Sequence, residues 1–329
     1  MKFTHWYTGS AWNSLTTQIL GAVGVVLIAT AMLGCATVNN ISSALTPGAN
    51  AVKMQIFLDS QNFGPGVVDG NAGEFTDKAM ALFRQSRGLG PGASIDLSAI
   101  VPFTTYTITE RDLGQVGPMG GGPEELAKLK RLPYTSLKEL LAERFHTTQK
   151  FIVDLNGGRD VSGLSAGATV RVPNVSRPFD GANFTAGYAK GSTGGRRVSV
   201  DTKIRMLEIR EANGSLVAAF PITPGSAEHP APIGDWRIVG IEPWPWYRYD
   251  EGVLKRGERT GTFFNLPPGP NSPVGIMWAG LSHPGVGIHG TGSPETIGRS
   301  GSHGCIRLSN WDAATFYTLV GAGTPVSIR

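Results

Sequence analysis

The chain has 329 residues, a net charge of +4 and only 16 % charged side chains. That length allows two or three domains. The composition excludes a disordered polyelectrolyte, and with no long Lys/Arg run nothing supports nucleic-acid binding. The high glycine and proline counts, 45 and 22, favour loops and short strands over long helices.

Ile19 to Leu33 is an uncharged apolar run of fifteen residues. A membrane span needs about 20, so the run matches the h-region of an export signal, with Lys2 as its n-region charge. It ends Ala31-Met32-Leu33-Gly34-Cys35-Ala36. A small residue directly before Cys, after an apolar pair, resembles a bacterial lipoprotein signal, with Met32 where Leu is commoner. The resemblance implies that residues 1–35 are signal peptide and lipobox and that Cys35 carries lipid. It places the mature chain in the periplasm or cell envelope, anchored to a membrane, the outer membrane favoured. An ordinary signal peptide and an uncleaved anchor are the alternatives. Residues 36–50 are small and polar and read as a tether.

Residues 51–100 read as a small helical module. AVKMQIFLDSQ is a first helix and FGPGVVDG a turn-rich loop. Asn71 with Glu74 forms a capping-box pattern. Phe75, Ala79, Leu82 and Phe83 then share one face of a second helix. The order resembles the small peptidoglycan-binding domains of wall enzymes; a generic helical hairpin is the alternative. Residues 101–175 open with a strand at Thr104 to Ile108. Ser136 and Glu139 make a second capping box. Leu137, Leu140, Leu141 and Phe145 follow at helical spacing, Thr148 caps a further helix through Leu155, and Ala168 to Val172 is a strand. Strand, two helices, strand resembles a LysM unit with an insertion after the first strand, either glycan-binding or a structural spacer. Residues 176–194 are turn-rich and read as a linker.

From residue 195 to 329 the pattern changes to short strands. VSVDTKIRMLEIR and SLVAAFPI flank Asn213-Gly214, a strong hairpin signal. GDWRIVGI, PVGIMWAGL, GVGIHG and TPVSIR are further strands, and regular strands with Gly/Pro turns predict a β-sandwich or barrel. One helix is expected at Asn310 to Leu319, with Asn310 as its cap and Asp312 in its first turn.

The chain has two cysteines. If Cys35 is acylated, Cys305 is a lone thiol in an oxidising compartment, which suits a nucleophile. Two histidines could serve as its base. His289, on a strand, is favoured; His303, two positions from Cys305 on a loop, is assigned to positioning or substrate contact. The third member that orients the imidazole is expected to be the Gly290 carbonyl. Backbone N–H groups at Gly304 and Cys305 would form an oxyanion hole, and Gly304 permits a positive-φ turn. Arg307 suits a substrate carboxylate, and Ser302 joins it as substrate-binding. His5, His146, His229 and His283 have no assigned role. Trp244 to Tyr249 (WPWYRY) is either a ligand platform or a packed lid. No metal-site spacing and no cofactor motif is present.

His289-Gly290, a spacer, then Ser302-His303-Gly304-Cys305-Ile306-Arg307 resembles the catalytic motif of the L,D-transpeptidase (YkuD) family. PVG at Pro273, LSNWDA at Leu308 and GTPV at Gly323 agree with it. The resemblance covers about residues 195–329. It implies a multidomain enzyme with a mainly β catalytic domain, a β-sandwich of the L,D-transpeptidase type, behind the α-helical and α+β LysM-like modules. It also implies that Cys305 attacks the diaminopimelate–D-Ala bond of a peptidoglycan stem peptide and passes the acyl group to an amine. An L,D-carboxypeptidase using water and a non-catalytic wall-binding scaffold are the alternatives. Partners are then peptidoglycan stem peptides and glycan, with the membrane reached through a lipid anchor. The sequence leaves oligomeric state open.

Overall fold

The computed structural model describes residues 48–329; the export segment and Cys35 lie outside them. Among the described residues no helix is long and apolar enough to cross a membrane. Two helices come first, α1 (Ala49–Ser60) and α2 (Glu74–Ser86). The capping box expected from Asn71 and Glu74 does not form. Gly73 takes the cap position without a side-chain bond. The Asn71 N–H donates to Asp69 Oδ1 at 2.9 Å, and the Glu74 carboxylate accepts two bonds from Arg205 Nη2, at 2.9 and 2.8 Å. Charge-assisted bonds to a guanidinium outcompete a single bond to a neutral N–H.

Strands β1 (Phe103–Thr107) and β2 (Thr169–Pro173) pair antiparallel around α3 (Leu137–Arg144) and α4 (Gln149–Leu155). The Ser136 box is half-formed. Ser136 Oγ accepts from the Glu139 N–H at 3.1 Å, but the Glu139 carboxylate turns to the Thr135 N–H at 2.7 Å. Thr148 caps α4, its hydroxyl accepting from the Phe151 N–H at 3.0 Å. Leu137, Leu140, Leu141, Ile152, Val170 and Val172 form a core that Val52 and Ile56 of α1 join.

The stretch expected to be a linker, 176–194, is packed instead. Phe179 and Phe184 are buried and belong to the same core as the strands that follow. Two phenyl rings in a polar, turn-rich stretch bring large apolar areas, and burying them fixes the segment on the sheet.

The remaining strands are β3 (Arg197–Asp201), β4 (Met206–Arg210), β5 (Leu216–Pro221), β6 (Gly234–Pro243), β7 (Tyr247–Tyr249), β8 (Phe264–Leu266), β9 (Met277–Leu281), β10 (Gly287–His289), β11 (Ile306–Arg307) and β12 (Pro325–Ile328). β7 and β8 pair apart from the rest; the other eight form one sheet in the order β11-β10-β9-β6-β12-β3-β4-β5. A sandwich of two separate sheets is therefore not what forms. Gly234–Arg237 of β6 pair with β12, while Ile238–Pro243 pair with β9, and the register shifts between Ile238 and Gly240. A strand bent at a bulge can serve two layers, so the layers stay joined as a single curled sheet. The hairpin between β4 and β5 turns at Asn213-Gly214, with Asn213 Oδ1 accepting the Ser215 N–H at 2.9 Å. The loop after α1 covers the edge of β5: Gly64 N–H donates to Ala219 O at 2.8 Å, and Ala219 N–H to Asn62 O at 3.0 Å. Covering an edge strand blocks pairing with other chains.

Register sets the two faces. Ile241, Ala279, Ile288 and Ile306 stand in one row across β6, β9, β10 and β11, and all four are buried in the core. Helix α5 (Asn310–Leu319) covers this face with Trp311, Ala313, Ala314, Phe316 and Tyr317. Its cap is Ser309, whose Oγ accepts from the Asp312 N–H at 3.2 Å. The expected cap, Asn310, is already helical, because Ser309 one residue earlier supplies both the extended backbone and a short acceptor. The next row is Glu242, Trp278, His289 and Arg307. Strand alternation turns it to the opposite face.

Candidate active site

The candidate site is built on the row that carries His289 and Arg307. Cys305 immediately precedes β11, after a turn that Gly304 makes at φ +91°, in the region where a side chain is strained. Ser302 closes this turn. Its hydroxyl donates to the Cys305 carbonyl, and its carbonyl accepts the Ser226 N–H at 2.9 Å. Ser302 is buried, so the hydroxyl expected to meet substrate is engaged within the protein.

Cys305 lies against β10. Its Sγ is 3.8 Å from the Gly285 carbonyl, and the Gly287 N–H points to the sulfur. Burial raises the thiol above its ordinary value, against the Gly287 N–H and the Arg307 cation, which favour thiolate. His289 is buried, with Nδ1 2.6 Å from the Gly290 carbonyl. A carbonyl can only accept, so Nδ1 carries the proton and Nε2 is left bare. Burial pulls the His289 pKa down to about 4; the Gly290 bond opposes this and the Arg307 cation adds to it. The resting pair at neutral pH is therefore a thiol and a neutral imidazole. The His289 main chain is held as well: its carbonyl accepts the Leu308 N–H at 2.8 Å, and Trp278, opposite it on β9, stacks on the imidazole at 5.4 Å and 19°.

Arg307 stands opposite His289 on the parallel neighbour strand. Its main chain exchanges two bonds with Thr223, at 2.9 and 3.0 Å. Nη1 donates to Gly301 O at 3.3 Å, and among the described residues no carboxylate pairs with the guanidinium. His303 is exposed and packs on His229, ring centres 4.9 Å apart. His229, which the sequence left without a role, thus belongs beside the site. His283 stacks edge-on against Trp236, and the buried His146 pairs with Asp59 at 2.9 Å.

A cavity of about 990 Å³ is walled by Trp246, Tyr247, Trp278, Val286, His229 and His303, and by Gly285, whose carbonyl lies 3.8 Å from the Cys305 sulfur. The WPWYRY segment splits between the two roles considered for it. Trp244 packs on Phe184 and under Arg131, while Trp246, 64 % exposed, and Tyr247 face the cavity. Burial lifts the Tyr247 hydroxyl above its ordinary pKa; nearby Cys305 reinforces this and Arg307 opposes it. Trp278 and Gly287 had no signal in the sequence, because it is strand register that sets Trp278 opposite His289 and puts the Gly287 N–H on the strand against the sulfur. Among the described residues no His, Cys, Asp and Glu side chains gather as a metal site.

Residues 195–328 match the family model described as the L,D-transpeptidase catalytic domain, YkuD. A Bacillus licheniformis protein bearing the name L,D-transpeptidase YkuD is 30 % identical over 190 residues, 58 % of this chain and 92 % of that protein. Its Bacillus subtilis namesake is 27 % identical over 51 % of this chain and 79 % of its own length. The solved structure of an L,D-transpeptidase from Mycobacterium smegmatis aligns with TM-score 0.34 and 21 % identity, over 41 % of this chain and 58 % of that one. With a catalytic-domain match through the sheet that carries Cys305 and His289, and a relative matched along nearly its whole length, this chain belongs to the YkuD family of L,D-transpeptidases.

Proposed function

We propose that Cys305 is the nucleophile of a peptidoglycan L,D-transpeptidase and His289 its base. One observation carries the reading: His289 Nδ1–H is fixed on the Gly290 carbonyl, leaving a bare Nε2 on a residue in register with Arg307, two positions after Cys305. When a stem tetrapeptide binds, Nε2 takes the thiol proton as sulfur attacks the diaminopimelate carbonyl. The Gly304 and Cys305 N–H groups receive the oxyanion. The C–N bond breaks, the imidazolium returns its proton to the leaving D-Ala amine, and a thioester remains. An acceptor amine then attacks the thioester and gives its proton to His289. The sulfur leaves as thiolate and takes that proton back. Arg307 and His303 contact the substrate, Arg307 through a carboxylate.

The same reading gives the rest of the chain its place. Cys35 carries a lipid that holds the enzyme at a membrane of the cell envelope, facing the periplasm. Residues 51–100 and 101–175 are the peptidoglycan-binding-like and LysM-like modules that keep it on its polymer. Incubating tetrapeptide muropeptides with the mature chain tests the function: cross-linked dimer supports it, tripeptide alone indicates the carboxypeptidase, and no turnover with retained sacculus binding indicates a scaffold. Cys305→Ala must abolish product while leaving sacculus binding intact.

A further inference from the structure

Glu143, on α3, lies far from the sulfur in sequence and is fully buried where the 101–175 unit meets the catalytic sheet. Its carboxyl accepts from the Tyr134 hydroxyl on one side. On the other, Glu143 Oε1 accepts from Asn310 Nδ2 at 2.6 Å. Asn310 Nδ2 also donates to Pro270 O at 3.1 Å, and its Oδ1 accepts the Ile276 N–H at 3.2 Å. The amide therefore fills a notch between two glycines. A Cβ on Gly290 would lie 2.3 Å from Asn310 Oδ1, and one on Gly275 would lie 2.4 Å from the Gly290 carbonyl carbon. Gly290 is the residue whose carbonyl orients His289. A second clasp holds the same loop: Asn271 Nδ2 donates to Glu139 Oε1 at 2.7 Å and to Pro133 O at 2.8 Å.

We infer that Glu143 and Asn310 are positioning residues: Glu143 holds the Asn310 amide against Gly290, and Gly290 in turn holds His289 in the tautomer and direction that leave Nε2 free for Cys305. The 101–175 unit is on this account part of the catalytic apparatus, whatever polymer it binds. The inference rests on the reading of His289 as base.

Two readouts test it: steady-state transpeptidation, and the rate of Cys305 alkylation by iodoacetamide across pH, which needs no wall substrate. Glu143→Gln keeps an acceptor for Asn310, and its new N–H reverses the Tyr134 bond by donating to the phenol oxygen, so both readouts stay within about twofold of wild type. Glu143→Leu removes the acceptor. A displaced imidazole costs about 10²-fold in kcat with KM little changed, and the alkylation profile moves toward that of His289→Ala. If Glu143→Leu does not fold, Asn310→Asp removes the amide donor that both Glu143 Oε1 and Pro270 O accept and lowers both rates. Adding Glu143→Gln supplies an amide donor across that contact and restores part of the loss, the Pro270 carbonyl staying without its donor, a coupling that a merely structural defect does not show. Wild-type kcat and alkylation in folded Glu143→Leu, or no rescue in the double variant, overturns the inference. If wild type cross-links nothing but the alkylation pattern holds, the proposed function fails and the positioning stands.

Discussion

His289 and Arg307 face each other across β10 and β11, a neutral imidazole in register with a fixed cation. The cation disfavours imidazolium and favours thiolate on the same face. Thiol and imidazole therefore carry no charge separation at rest; on the proposed mechanism, proton transfer from Cys305 waits for a substrate to exclude water and accept the sulfur's attack.

The pH profile should show this. The acid limb of kcat/KM reports protonation of His289 in the free enzyme. It is expected near 4 rather than at the 6.5 of a free imidazole, so activity stays level through the mildly acidic range. A limb at the free-imidazole value would mean that His289 is solvated.

Arg307→Gln removes the guanidinium while keeping a hydrogen-bonding side chain. A charge-assisted bond contributes about 1.5–3 kcal/mol, so kcat/KM falls about 10–100-fold, most of it in KM if the carboxylate contact is made in the ground state. The acid limb moves up in the same variant, because the cation that lowers the His289 pKa is gone. Both come from one pH series of initial rates.

Phe184→Ala separates a packed segment from a linker. Emptying a fully buried phenyl site costs about 3–5 kcal/mol, whereas truncating a solvated ring costs almost nothing. The midpoint of urea unfolding, followed by tryptophan fluorescence, decides between them.

Stability should fall as pH rises. Burial lifts Glu143 from 4.5 and Asp312 from 3.8, each to about 8. Between their ordinary values and about 8 the unfolded chain has released these protons while the folded chain keeps them. The stability is fully present below the ordinary carboxyl range and is lost as pH climbs through about 8. Tm should drop across that window, and Glu143→Gln with Asp312→Asn should flatten the curve. An equal slope in the double variant would assign the effect to other groups.

Local patterns carried much of the architecture. Helices α1 to α5, the hairpin at Asn213-Gly214 and the strand-rich half were legible because turn chemistry, capping and periodicity act within a few residues. Some expected caps lost to a neighbouring residue, Asn310 to Ser309 and the Glu139 half of its box to Thr135; the larger departures came from distant partners. Glu74 left its capping role for Arg205, Phe179 and Phe184 drew a turn-rich stretch into the core, and bulged β6 joined two layers into one sheet.

The chain by itself determined that a thiol and two histidines sit in a glycine-rich frame, since residue identity and spacing fix which reactive groups exist and how tightly the backbone can turn. Which imidazole lies beside the sulfur row, that Trp278 and Tyr247 flank it, and that Glu143 reaches Gly290 through Asn310 were decided only by the tertiary structure. Strand register and helix docking bring together residues up to 167 positions apart, and no local preference encodes a contact that forms only when the whole sheet closes.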